Sequence, residues 1–80
     1  MRLDKYLKVA RIIKRRQTAN EACDAGRVVV NGNPARASYE VKIGDVLEIR
    51  FGGNTTKVSV AEIRENVRKE DAEKLYNVIQ

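Results

Sequence analysis

Residues 3–16 of this 80-residue chain read LDKYLKVARIIKRR, and the spacing of their apolar members governs how the rest of the sequence is read. Placed at 100° steps, Leu3, Tyr6, Leu7, Val9, Ala10 and Ile13 gather into one broad arc, which predicts an amphipathic helix over 3–13. The opposite arc carries Lys5, Lys8 and Arg11, joined by Arg15 and Arg16 if the helix or its trailing turn runs that far. Asp4 falls among these bases. It stands four residues ahead of Lys8, the favourable order for an acid and a base on one helix, and near the positive end of the helix dipole.

Downstream, Thr18 and Glu21 have the spacing of a capping box, so a second short helix is expected with Thr18 as its N-cap. Ala19, Ala22 and Cys23 form a small-residue stripe that allows close packing on the first helix, and Gly26 is placed to end the second. Strands follow. The run Val28-Val29-Val30 leads into Asn31-Gly32, a strong hairpin signal because both residues tolerate positive φ. Val46 to Phe51 alternates, with Leu47, Ile49 and Phe51 on one face and Glu48 and Arg50 on the other. Gly44-Asp45 turns the chain in, and Gly52-Gly53-Asn54 turns it out. Another strand is expected over 57–63 through Val58 and Val60. Residues 69–79 return to helical spacing with Ala72, Leu75, Tyr76 and Ile79. The fold class read from these elements is α+β: a two-helix hairpin packed on a small antiparallel sheet, with a short C-terminal helix. One domain over 1–80 is expected, with a core of about 1–50 and an added strand and helix over about 51–80.

Eighty residues bury only about 60% of the unfolded surface, which leaves no room for a large enclosed pocket. The net charge is +5, and it is unevenly placed. Residues 1–20 hold seven bases (Arg2, Lys5, Lys8, Arg11, Lys14, Arg15, Arg16) against Asp4 alone, a local +6; residues 21–50 come to −1 and residues 51–80 to 0. A one-sided basic surface is the footprint of a polyanion partner. With no histidine and one cysteine, neither a zinc site nor an internal disulfide is expected. No apolar run approaches the roughly 20 residues of a membrane span, and no signal-peptide pattern is present, so a cytoplasmic address is expected. No P-loop, nucleotide-binding glycine fingerprint or partnered nucleophile is present, so no catalysis, cofactor or small-molecule substrate is expected.

The basic helical hairpin carries the functional reading. Cations set against phosphates release counterions on binding, and arginine adds a planar fork for clamping a phosphate. Arg15-Arg16, in the turn between helices, would reach an irregular RNA backbone most easily. Aromatic platforms are few: Tyr6 is expected in the core with a tethered hydroxyl, Tyr76 in packing, and Tyr39 in a loop, either solvated or against a base. That scarcity points to shape-defined RNA held through its backbone. Thr18 reads as a cap, and Cys23 as buried filler. Three other readings stay open: an ordinary solvated helix face, a helix-turn-helix DNA reader whose second helix has few base-reading side chains, and a basic face for an acidic protein or anionic membrane.

Four blocks in order carry a resemblance: Arg2-Leu3-Asp4-Lys5-Tyr6-Leu7; Arg15-Arg16 with Thr18-Ala19; Gly26-Arg27-Val28-Val29-Val30-Asn31-Gly32; and Val41-Lys42-Ile43-Gly44-Asp45. Over about residues 1–50 the chain resembles the RNA-binding module first seen in small-subunit ribosomal protein S4. Across nearly its whole length it is similar to the free-standing RqcP-like branch, with the small ribosome-associated heat-shock relative further off. The resemblance implies an S4-like fold (the alpha-L motif) with the hairpin facing RNA. It implies binding to large ribosomal subunit rRNA and peptidyl-tRNA after a stall, beside an RqcH-like protein, in support of alanine tailing. Subunit recycling is the alternative role. It also implies that Arg2 and Arg16 touch RNA, that Lys5, Lys8, Arg11 and Arg15 support them, and that Asp4 orients its neighbours. Arg15-Arg16 stands where many members of the wider module have Ser-Arg.

Overall fold

In the computed structural model, which describes residues 1–79, the opening amphipathic stretch forms helix α1 over Leu3–Val9. Its first amides find acceptors outside the usual ladder. Leu3 N–H donates to the Tyr39 carbonyl (2.8 Å), Asp4 N–H to the Ala37 carbonyl (3.2 Å), and Lys5 N–H to the Asp4 carboxylate (2.8 Å). Such donors have no intrahelical partner at any helix start. The helix stops short of the predicted Ile13 because Arg11 takes a left-handed φ of 58°. Arg11 N–H then bonds the Lys8 carbonyl and Ile12 N–H that of Leu7, a Schellman closure with arginine where glycine is usual.

Helix α2 spans Arg16–Asp24 and closes in the same way on Gly26 (φ 79°), with Arg27 N–H reaching the Ala22 carbonyl. Its start corrects the expected capping box. Arg15 is the extended residue ahead of the helix, no side chain caps it, and Thr18 lies within the first turn. The reason is tertiary: Arg16 and Asn20 are held against Asp4 of α1, so local capping chemistry does not set the boundary.

The remaining elements are β1 (Val28–Val30), β2 (Asn33–Pro34), β3 (Val46–Phe51), β4 (Asn54–Val60), a 3₁₀ helix (Lys69–Leu75) and β5 (Tyr76–Val78). The strands form one sheet in the order β2-β1-β3-β4-β5, antiparallel at each junction. Asn31-Gly32 (φ 50°, 87°) makes the two-residue turn that the hairpin signal predicted. The tail is a correction. Its helical spacing holds for Ala72 and Leu75, both buried, but the helix is 3₁₀ and ends at Leu75; Tyr76–Val78 pairs with β4 instead. Three donors turn the chain there, since the Leu75 carbonyl accepts from Ala61 N–H (2.8 Å), Glu62 N–H (3.1 Å) and the buried Tyr6 hydroxyl (2.7 Å).

One core joins the layers: Leu3, Tyr6, Leu7, Ala10 and Ile13 from the α1 segment, Ala19, Ala22 and Cys23 from α2, and alternate residues of β1, β3 and β4. The arrangement is the α+β one, a helical hairpin on an antiparallel sheet. Cys23 is packing: it is buried, and burial pushes its thiol up to about 12, far from a nucleophile's range. Among the described residues no helix is long and apolar enough to cross a membrane.

Candidate nucleic-acid interface

The site is organised by a carboxylate. Asp4 is only 2% exposed, so it does not lie in the solvated arc with Lys8 as its sequence position suggested, and it makes no ion pair with Lys8. Instead it points into the junction of α1 and α2. Its Oδ1 accepts from Lys5 N–H and from Arg2 Nε (3.2 Å), and its Oδ2 accepts from Asn20 Nδ2 (3.1 Å) and Arg2 Nη2 (3.3 Å). Arg16 Nε lies 3.5 Å from the same Oδ2. One buried anion thus gathers two guanidinium groups that are 14 residues apart, from the entry of α1 and the first residue of α2.

Burial by itself would raise the Asp4 pKa. The Asn20 amide, the Lys5 N–H, the charge of Arg16 and the Arg2 hydrogen bond outweigh it and hold the carboxyl below its ordinary value. The anion is therefore permanent at neutral pH. Arg2 and Arg16 keep 49% and 48% of their side chains exposed while their Nε edges face Asp4. What results is a pair of half-immobilised forks on one surface, and planar, oriented guanidinium groups suit bidentate phosphate contacts.

The other sequence-predicted residues are less uniform. Lys8, Arg11 and Arg15 are exposed and make no salt bridge among the described residues, and Arg15 stands next to Arg16 at the α2 start. Lys5 is not free in the same sense. Its Nζ is bonded by Glu65, an exposed carboxylate from the segment between β4 and the 3₁₀ helix, and that bond is what lowers the Glu65 pKa. Asn20, which the sequence offered only as a weak candidate donor to phosphate, belongs to the Asp4 cluster. The signal was available in its i,i+4 spacing from Arg16, which puts the two on one face of α2. Glu65 gave no comparable signal at 60 residues from Lys5.

Arg11 shows a cost. A β-carbon in the left-handed region is disfavoured, and only glycine, or less often asparagine and aspartate, sits there readily. Arg11 is an exposed arginine held in that region at the end of α1.

Residues 1–47 match the family described as S4 domain. The chain is 55% identical over 78 residues to the RQC P-site tRNA stabilizing factor of Halalkalibacterium halodurans, covering 98% of this chain and 89% of that protein. It is 49% identical over 80 residues to the Bacillus subtilis protein of the same name, covering 100% and 93%. Among solved structures, heat shock protein 15 of Vibrio cholerae matches with a TM-score of 0.92 at 32% identity, covering 99% of this chain and 81% of that one.

Two outcomes follow for stability. Because the folded-state pKa of Asp4 lies below its ordinary 3.8, its contribution is complete above that value and is lost as pH falls through the lower folded value. Urea midpoints should hold from neutrality to about pH 5 and fall below about pH 4, with a shallower fall for Asp4→Asn, Asp45 retaining its own share. Arg11→Gly should raise stability by about 1 kcal/mol in the same assay, through relief of the left-handed strain. An identical acid limb in Asp4→Asn, or a destabilised Arg11→Gly, would contradict these assignments.

Proposed function

The chain belongs to the S4 domain family, in the branch of the proteins named RQC P-site tRNA stabilizing factor, and we propose from that premise that it is a non-catalytic RNA-binding factor of ribosome quality control. Its ligand in this reading is RNA of the large ribosomal subunit together with the peptidyl-tRNA it still carries. Arg2 and Arg16 contact phosphates, Lys8, Arg11 and Arg15 extend the cationic surface, and Lys5 joins it when phosphate replaces Glu65 as its partner. Asp4 does not touch RNA and acts by orienting the two arginines.

The observation that carries the proposal is the Asp4-braced pair itself. The acid is buried while both cations keep about half their side-chain surface open, which leaves the two oriented guanidinium groups accessible to a phosphate. Affinity would be mainly electrostatic and salt-dependent, and positional in effect: holding two RNAs together favours one tRNA state without any bond being made or broken. Support for alanine tailing beside an RqcH-like protein is the cellular role proposed for it. The helix-turn-helix alternative gains nothing from α2, whose Ala19, Ala22 and Cys23 are buried, whose Asn20 is engaged by Asp4, and whose exposed side chains include Glu21 and Asp24.

The test is co-sedimentation with large subunits carrying peptidyl-tRNA across a salt series. Arg2→Ala and Arg16→Ala should each weaken binding by about tenfold, the scale of one charge-assisted hydrogen bond, and each should flatten the log–log salt slope by about one unit or less. Full binding by the double variant would refute the reading.

A further inference from the structure

The alternating row Leu47, Ile49, Phe51 on β3 outruns the helical layer that covers it. Leu47 and Ile49 are buried, but Phe51, beside the Gly52-Gly53 turn, is 43% exposed, one of three large apolar side chains so exposed among the described residues. It does not stand alone on open surface. Phe51, Ile12, Ile13 and Ile49 line an open trough of about 360 Å³, together with Lys14 and Arg15 from the turn between α1 and α2. Among the described residues no acidic side chain lines it. Arg27 borders the two adjoining hollows that share the Phe51 ring, one of which also includes Glu21 and the other Arg50, whose guanidinium is paired with Glu48 at 2.8 Å.

A trough of this volume is within the range that takes a small planar ligand, and its composition selects among occupants. The apolar floor suits a ring, and Lys14 and Arg15 favour an anionic owner for that ring. An apolar side chain of a protein partner, or of a second copy of this chain, would meet the floor but leave two cations without partners. We infer that Phe51 and the Lys14-Arg15 turn form a subsite for one unstacked nucleotide of the bound RNA. The base lies against the phenyl ring, and the adjoining phosphates meet Lys14 and Arg15. This rests on the RNA-binding reading above and adds to it a contact with a base where the Arg2–Arg16 pair contacts backbone. Stacking of this kind is tolerant of sequence, since every base offers a π-face. Arg15, which lines the trough, is the chain neighbour of Arg16 at the start of α2.

The chain has no tryptophan, so Phe51→Trp introduces a single fluorescent reporter at the trough. Titration with a ten-nucleotide oligoadenylate RNA should quench it, and a decamer of the same length with abasic residues should not. In large-subunit binding, Phe51→Ala should weaken affinity roughly 5- to 150-fold, the range seen on removing one base–aromatic stack, while Phe51→Tyr keeps it. Phe51→Leu separates stacking from simple apolar docking, and the stacking assignment requires that it lose binding nearly as Phe51→Ala does. Wild-type binding by Phe51→Leu, or by Phe51→Ala while Arg2→Ala/Arg16→Ala fails to bind, overturns the subsite and leaves the RNA reading standing. Full binding by the arginine variant removes both. Equal quenching by the abasic decamer also overturns it, because backbone contact alone would then account for the signal.

Discussion

Asp4 lies almost fully buried between α1 and α2, where a carboxylate without partners would cost several kcal/mol, and the groups that neutralise it are the ones that order the basic face. Seven- and nine-residue helices are too short to persist alone, so their mutual position must come from packing and from cross-links between them. The small stripe Ala19, Ala22, Cys23 lets them approach, and Asp4 then ties the start of one to the start of the other through Arg16 and Asn20. The same contacts restrict the two arginines before any ligand arrives. Side chains ordered in advance lose less freedom on binding, which is where preorganisation raises affinity.

A second buried aspartate makes the contrast clear. Asp45 accepts from Asn31 Nδ2 (3.0 Å), the Tyr39 hydroxyl (2.9 Å) and Lys42 N–H (2.9 Å), and these bonds hold its pKa down against burial, as with Asp4. Yet no arginine reaches it within salt-bridge distance among the described residues. Asp45 is held by neutral hydrogen-bond donors, with the charge of Lys42 as a smaller aid, and fastens the loop between β2 and β3 to the sheet. Asp4 is neutralised by cations whose other sides face solvent. Two buried aspartates with the same direction of pKa shift therefore have different surroundings, guanidinium groups around Asp4 and mainly neutral donors around Asp45.

Much of the fold was legible because it follows local periodicity. The apolar arc of 3–13, the Val28–Val30 strand with its Asn31-Gly32 turn, and the alternation of 46–51 all appear where the spacing placed them. What failed did so where tertiary contacts override local signals. A helical projection of 3–13 puts Asp4 on the polar side, and only the docking of α2 buries it. The Thr18–Glu21 spacing was a sound cap signal that the Arg16–Asp4 tie pre-empted. The periodicity of Ala72 and Leu75 was real, but the open edge of β4 claimed Tyr76–Val78. Tyr39, read as solvated or base-facing, is half-buried with its hydroxyl donating to Asp45, a contact the local sequence did not signal. The charge asymmetry that marked the candidate site is a property of composition and needed no structure; the pairing of Arg2 with Arg16 through one anion did.

The most direct measurement is the affinity of Asp4→Asn for large subunits carrying peptidyl-tRNA, at several salt concentrations, in a variant whose fold is verified. The substitution raises the net charge from +5 to +6, so attraction to RNA through charge alone requires tighter binding. Orientation by the buried carboxylate requires the reverse, weaker binding at each salt concentration despite the added charge. Affinity that rises or stays level in the folded variant would contradict the account at its base.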